Sequence, residues 1–300
     1  VSTRPSRTVP AAPSKKAAAA SLKARGKAPA DASGAVSPAA ADASKPKAEK
    51  RKPTSKQTRP DPLPGLVSEV FVCGEVELWA RAQGLGVLIG LDEAGRGPLA
   101  GPVVVAACAL PDPCPLVGID DSKKLTEAER EALFEPILAC ALGVGLVVVE
   151  HEVIDDMNIL RASLHGMALA WEQLVLAQPH LRASIVLVDG RDRAPLPAEI
   201  DQRPIIKGDA RSLNIAAASI LAKVARDRIM HVYHAEFPDY GFDRHKGYPT
   251  VAHRAAVERH GPSPIHRKSF NMPFGPNAAP PAQADGMDLF APLGAGTAEP

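Results

Sequence analysis

Apolar residues fall along the middle of this chain in short continuous runs, separated by stretches with helical spacing. Residues 86–91 and 103–110 are rich in branched side chains and too short for helices, so they predict buried strands. Residues 143–150 repeat the pattern, and further apolar runs lead into Asp189 and Asp209. Between them, Thr126-Glu127-Ala128-Glu129 has the spacing of a capping box and predicts a helix through about Ala141, which Pro136 should kink or shorten. Residues 151–176 predict one helix whose apolar face carries Ile154, Met157, Leu160, Leu164, Met167, Leu169 and Leu174. A longer helix is expected over 212–237, where Ala216, Ala217, Ala218 and Ser219 permit close approach to a sheet. Strands alternating with helices predict an α/β fold.

Composition adds flanks to this picture. The chain has 300 residues, 30 prolines and only 4% aromatic residues, so part of it is not expected to pack. Residues 1–60 hold 14 Lys+Arg against 3 Asp+Glu, a charge of +11, which the overall +1 conceals because the remainder carries −10. That segment has no Phe, Tyr or Trp and cannot bury enough apolar surface to offset chain ordering. The expected organisation is a disordered basic Ala/Pro/Lys tail over 1–68, a folded domain over 69–275 and a second disordered tail over 276–300. The basic tail reads as a solubilising appendage, a nucleic-acid tether, or sequence from a misassigned start codon. Its longest apolar stretch, 17–22, is too short for a signal core, and no run is long enough to span a membrane. Cys73, Cys108, Cys114 and Cys140 form no CxxC spacing, which points to reduced thiols in the cytoplasm.

Chemistry enters at Gly90-Leu91-Asp92-Glu93-Ala94-Gly95-Arg96-Gly97-Pro98, where two adjacent carboxylates sit between the first two predicted strands. Neighbouring carboxylates at such a position are costly unless a cation neutralises them. On a regular strand Asp92 and Glu93 point to opposite faces, so a shared site predicts a departure from strand geometry, which Gly90, Gly95 and Gly97 permit. Asp189 and Asp209 also sit where an apolar run meets a glycine, and strand ends of α/β sheets are where ligand-binding groups gather. Any one of these aspartates alone reads as a turn or cap. Four together read as hard oxygen ligands suited to Mg²⁺ or Mn²⁺.

Together with these acids, Asp121-Ser122-Lys123-Lys124-Leu125, Lys207-Gly208-Asp209, the run 216–227 and His245-Lys246-Gly247-Tyr248-Pro249-Thr250 follow in an order that resembles bacterial ribonuclease HII from roughly residue 75 to 270. Arg96 separates the pattern from the sister ribonuclease HIII, whose corresponding turn usually lacks it. The resemblance implies a ribonuclease H-like fold, a central mixed β-sheet flanked by helices. It implies Asp92, Glu93, Asp189 and Asp209 as catalytic metal ligands, holding two Mn²⁺ or Mg²⁺ ions with Asp92 bridging. It further implies that Gly95, Arg96, Gly97 and Tyr248 recognise the junction between a ribonucleotide and the following deoxyribonucleotide, while Ser122, Lys123 and Lys124 grip phosphates.

The expected activity is hydrolysis of RNA in RNA·DNA hybrids and at ribonucleotides embedded in duplex DNA, leaving 5′-phosphate and 3′-hydroxyl ends, by a cytoplasmic monomer. Two rivals remain: a related metal nuclease acting on DNA, disfavoured by the Gly-Arg-Gly turn, and a non-catalytic nucleic-acid-binding protein acting through the basic tail. His245 has the best claim among the histidines to touch substrate, with His253 and His266 as local hydrogen-bonding groups. In the C-terminal tail, Met287, Leu289 and Phe290 form an apolar cluster resembling peptides that dock on the β sliding clamp, although Gly286 replaces the usual leading glutamine.

Overall fold

The computed structural model describes residues 63–66 and 70–270. The expected tails therefore lie almost wholly outside the described residues, as do Met287, Leu289 and Phe290. One short piece assigned to the N-terminal tail is packed: Leu63 is buried against Val76, Trp79 and Ala80, and the Trp79 indole donates to the carbonyl of Pro64.

Five strands form one sheet: β1 (Val87–Ala94), β2 (Val103–Ala109), β3 (Gly143–Val149), β4 (Ala183–Asp189) and β5 (Gln202–Ile205), ordered β3-β2-β1-β4-β5. The first three are antiparallel neighbours, while β4 and β5 add in parallel to β1, giving a mixed sheet. Helices cover both faces, so β2 is apolar and buried at every position. Its odd residues Val103, Val105 and Ala107 join Ile89 and Leu91 against α3 (His151–Met157) and α4 (Ile159–Ala177). Its even residues Val104, Ala106 and Cys108 face α2 (Glu127–Cys140) and α5 (Leu213–Glu236). The remaining helices are α1 (Glu75–Ala82), α6 (Phe242–His245) and α7 (Val251–His260).

The small residues of α5 do what their size predicts. A Cβ on Gly90 of β1 would stand 2.3 Å from the Asn214 carbonyl carbon, so the first turn of α5 lies directly on the strand. The capping box of α2 forms, with the Thr126 hydroxyl accepting from the Glu129 amide and the Glu129 carboxylate accepting from the Thr126 amide. Pro136 does not shorten that helix, which runs on to Cys140.

Two expectations are corrected. The single helix over 151–176 is broken at Asn158, whose φ of 72° ends α3 while its side chain accepts from the Arg161 amide to cap α4. The acidic pair does not interrupt β1 either. Asp92 pairs with Ala106 and Glu93 with Val105 in regular antiparallel register.

Candidate active site

The site is assembled at the carboxyl ends of β1 and β4. Their parallel register sets Leu91 beside Val188, so the next residues, Asp92 and Asp189, are neighbours. Asp209 lies beyond β5 in a 3₁₀ turn over Gly208–Ala210, and that turn is drawn in by the Gly208 amide, which donates to Asp189 Oδ1 at 2.8 Å. Asp92 faces α5, where Ser219 hydrogen-bonds to it, and Glu93 falls on the opposite side of the strand. The pair thus straddles the strand end beside Asp189, and no departure from strand geometry is required.

Burial makes this gathering costly. Asp92 and Asp209 are each 4% exposed, and the Glu93 side chain 9%. Burial, then the charges of Asp189 and Glu93, push the Asp92 carboxyl well above the usual range. Burial also raises Glu93, with Asp189 adding to the rise and Arg96 opposing it. Asp189 is raised by burial and by Asp209. Among the described residues, the trio with ligand atoms within 4.8 Å of one another is Glu150, His151 and Glu152 at the start of α3. No three of the four site carboxylates come that close. Positive charge is supplied by Lys123, whose ammonium donates to Asp209 Oδ2 at 2.7 Å, and by Arg96, 3.2 Å from Glu93 Oε1. Four carboxylates, Asp92 and Asp209 buried and Glu93 and Asp189 half-buried, that depend on borrowed positive charge fit a divalent cation by the chemistry of the donor set.

The expected substrate-binding residues divide. Lys123 is exposed at the mouth of the site, but Lys124 turns to Asp120, at 3.0 Å, and makes no contact with the carboxylates. Ser122 is buried and shares a 2.8 Å hydrogen bond with Ser219, which places it behind Asp92 rather than at the surface. Gly95 and Gly97 differ as well. Gly95 is buried at φ 103°, and a Cβ there would lie 2.1 Å from Arg226 Nε. Gly97 is exposed, and a Cβ on it would stand 3.4 Å from the ring of Tyr248.

Tyr248 is 41% exposed, and histidines hold its backbone. Its amide donates to the His245 carbonyl at 2.8 Å, and its carbonyl accepts from His253 Nδ1 at 2.9 Å. That bond fixes the remaining protons: His266 Nε2 donates to His253 Nε2 at 3.1 Å, and His266 Nδ1 accepts from Ser263. Burial holds His253 and His266 neutral, each lowered to about 4. His245, expected to reach substrate, spends Nε2 on the Tyr240 carbonyl and Nδ1 on the Gly247 amide. All four cysteines are free thiols, and burial pushes Cys73 up to about 12, away from the thiolate a nucleophile requires.

The sequence from residue 89 to 272 matches the family model of ribonuclease HII. The chain belongs to the ribonuclease HII family. It is thereby an enzyme, a hydrolase of the ribonuclease H class. The ribonuclease HII of Geobacter metallireducens is 50% identical over 202 residues, covering 66% of this chain and 92% of its own length. That of Geotalea daltonii is 51% identical over 197 residues, covering 66% and 88%. Among solved structures, the ribonuclease H2 from Pyrococcus horikoshii OT3 is similar at 26% identity and a TM-score of 0.51, over 62% of this chain and 94% of that one. Among the described residues of this ribonuclease HII, no helix is long and apolar enough to cross a membrane.

Sequence reasoning passed over two residues that the structure brings to the site. Arg226 stands in a motif but was assigned no role, and Arg267 was not singled out; both are wholly buried beneath the turn that follows Glu93.

Proposed function

We propose that this ribonuclease HII hydrolyses the RNA strand of RNA·DNA hybrids and incises duplex DNA at embedded ribonucleotides, leaving 5′-phosphate and 3′-hydroxyl ends. The observation that carries the reading is the gathering of four buried or half-buried carboxylates at the ends of β1 and β4 and in the turn after β5, next to an exposed turn and the Tyr248 ring. Asp92, Glu93, Asp189 and Asp209 would hold two Mg²⁺ or Mn²⁺ ions. Bound there, divalent ions supply an activated water and neutralise charge on the phosphoryl oxygens.

The other residues position the substrate. Lys123 is exposed enough to exchange Asp209 for a backbone phosphate, and Arg96 to exchange Glu93 for one. The exposed amides of the turn meet the 2′-hydroxyl, which both donates and accepts, while Tyr248 lies flat against the adjoining sugar. Neither the histidines nor the cysteines need act as nucleophile or base. The reading extends to a cytoplasmic monomer in replication and repair, docking on the sliding clamp through Met287, Leu289 and Phe290.

The test is cleavage of a DNA duplex carrying one ribonucleotide, with Mg²⁺ or Mn²⁺ and with chelator. Metal-dependent incision on the 5′ side of the ribonucleotide, leaving a 3′-hydroxyl, is expected. Cleavage of all-DNA duplex at a comparable rate, or no cleavage in either metal, would overturn the proposal.

A further inference from the structure

Arg226 and Arg267 are 1% and 0% exposed, and neither is hydrogen-bonded to a carboxylate. Arg226 donates to the carbonyls of Pro102 at 3.0 Å, Lys246 at 2.9 Å and Ala100 at 3.2 Å. Arg267 donates to Gly101 at 2.9 Å, Arg96 at 3.1 Å, Gly95 at 2.6 Å and Pro102 at 3.2 Å. Two guanidinium groups therefore take five carbonyls of the turn over 95–102 and a sixth from the segment leading to Tyr248. Backbone bonds join the same segments: Leu99 N–H donates to the Gly247 carbonyl at 2.8 Å and Arg267 N–H to the Leu99 carbonyl at 2.9 Å.

A buried cation hydrogen-bonded only to neutral carbonyls is costly, and burial lowers both arginines from their usual value, Arg267 further through the charge of Arg226. Backbone carbonyls alone would be satisfied more cheaply by turns or water. The arrangement has a directional result, however. With the carbonyls of Gly95 and Arg96 drawn inward, the amides of Arg96 and Gly97 stand at the exposed side of the turn and make no hydrogen bond among the described residues. Arg226 also lies under the Tyr248 ring, 6.0 Å from its centroid. One side chain thus touches both halves of the exposed surface.

We infer that Arg226 and Arg267 are positioning residues for ribose recognition: they hold the amides of Arg96 and Gly97 outward and fix their spacing to the Tyr248 ring. This rests on the proposed function, because it specifies how that site discriminates. Lysine keeps the charge at either position but cannot reach three or four carbonyls at once from one planar group.

The experiment compares wild type with Arg226→Lys and Arg267→Lys on two substrates, a duplex with one ribonucleotide and a uniform RNA·DNA hybrid, each with its own KM and kcat. The ratio of kcat/KM for the single ribonucleotide over that for the hybrid should fall at least fivefold in both variants, chiefly through KM. Equal losses on the two substrates would reduce the arginines to ordinary structural residues and overturn the inference. Because a lysine variant can fail to fold, wild type supplies an independent readout by nitrogen-15 NMR in Ca²⁺. The Nε–H protons of Arg226 and Arg267 should exchange slowly with solvent, and the Arg96 and Gly97 amide signals should shift on binding the single-ribonucleotide duplex but not all-DNA duplex. Fast-exchanging Nε–H protons, or identical shifts with both duplexes, would also overturn it. Wild type that does not cleave at the single ribonucleotide sinks the proposed function instead, a result distinct from a changed ratio in the variants.

Discussion

Two sets of buried charge lie on either side of the same turn, and they are satisfied in opposite ways. Asp92, Glu93 and Asp189 crowd one another at a largely enclosed strand end, and loss of solvent and mutual repulsion raise all three above the usual carboxylate range. Arg226 and Arg267 also repel one another, but their N–H groups are met at hydrogen-bond distance by backbone carbonyls. The acidic set fits a cation from outside; the basic set finds its hydrogen-bond partners within the chain. The difference separates chemistry from architecture. Strain is concentrated where a metal would relieve it, and rigidity where a sugar would be measured.

The largest expected effect breaks the acidic set. Asp92→Asn or Asp209→Asn should lower cleavage on the order of a thousandfold or more, since metal-supplied charge stabilisation contributes several kcal/mol. Binding of an RNA·DNA hybrid in Ca²⁺ should persist through the remaining contacts. Without metal, Asp92→Asn should melt at the same temperature as wild type or a few degrees higher, because roughly 1 kcal/mol of relieved repulsion shifts a domain of this size by about 2–4 °C. A metal-free Asp92→Asn protein that melts well below wild type would mean that the aspartate is a structural hydrogen-bond acceptor, and the contrast would fail.

Loosening the basic set should cost stability as well as selectivity, and two glycines isolate the stability effect. Gly95 and Gly118 both have φ near +100°, at 103° and 90°. A Cβ on Gly118 meets nothing within 4 Å, whereas one on Gly95 meets Arg226 Nε at 2.1 Å. Gly118→Ala should therefore cost about 1–2 kcal/mol of backbone strain, and Gly95→Ala about 3 kcal/mol or more once the clash is added. Urea unfolding of both variants measures the difference. Equal losses would show that the arginine is free to move aside and that the turn is not pinned.

Legibility in the sequence follows the same division. The carboxylates could be found because each ends an apolar run beside a glycine, and the capping box at Thr126 predicted α2 to within a residue of its end. The break at Asn158 escaped notice because the apolar spacing continues across it, and only the backbone conformation of one residue reveals the two helices. The geometry of Asp92 and Glu93 was misjudged through the assumption that one site lies on one face of a strand; a strand end with Asp189 beside it serves both faces. Arg226 and Arg267 were beyond reach for a different reason. Their partners are main-chain carbonyls, which every residue carries, so no side-chain pattern announces them. The role of Gly95 was hidden with them, since its demand for space comes from Arg226 on a helix far along the chain.

A smaller effect sharpens the recognition side. Tyr248→Ala removes the exposed ring but leaves the backbone bonds that hold the loop, to His245 and His253, in place. Cleavage at a single ribonucleotide should fall about tenfold, the equivalent of about 1.4 kcal/mol, with little change in melting temperature. Arg96→Ala should do less, since Arg96 is spent in part on Glu93. Unchanged rates on the single-ribonucleotide substrate in the Tyr248 variant would remove the tyrosine from recognition.

The smallest effect concerns the histidines that anchor Tyr248, a third buried set that is neutral instead of charged. Unfolded, His253 and His266 bind protons near pH 6.5; folded, burial holds both near 4, and each already uses its ring nitrogens in the chain from Ser263 to the Tyr248 carbonyl. Between these values the unfolded chain binds more protons than the folded one, so stability is complete above pH 6.5 and declines as pH falls towards 4. From pH 7 to pH 6 the loss should be about 1 kcal/mol, read from urea midpoints at constant ionic strength. The double variant His253→Asn with His266→Gln should be less stable at neutral pH but show a flatter dependence over that interval. The acidic set pulls the other way: carboxylates raised by burial and mutual repulsion gain stability as they protonate. Over the range in which they protonate, saturating Mg²⁺ should suppress that gain and make the loss on acidification steeper than in chelator, and an identical dependence in both conditions would show that the carboxylates are not strained as described.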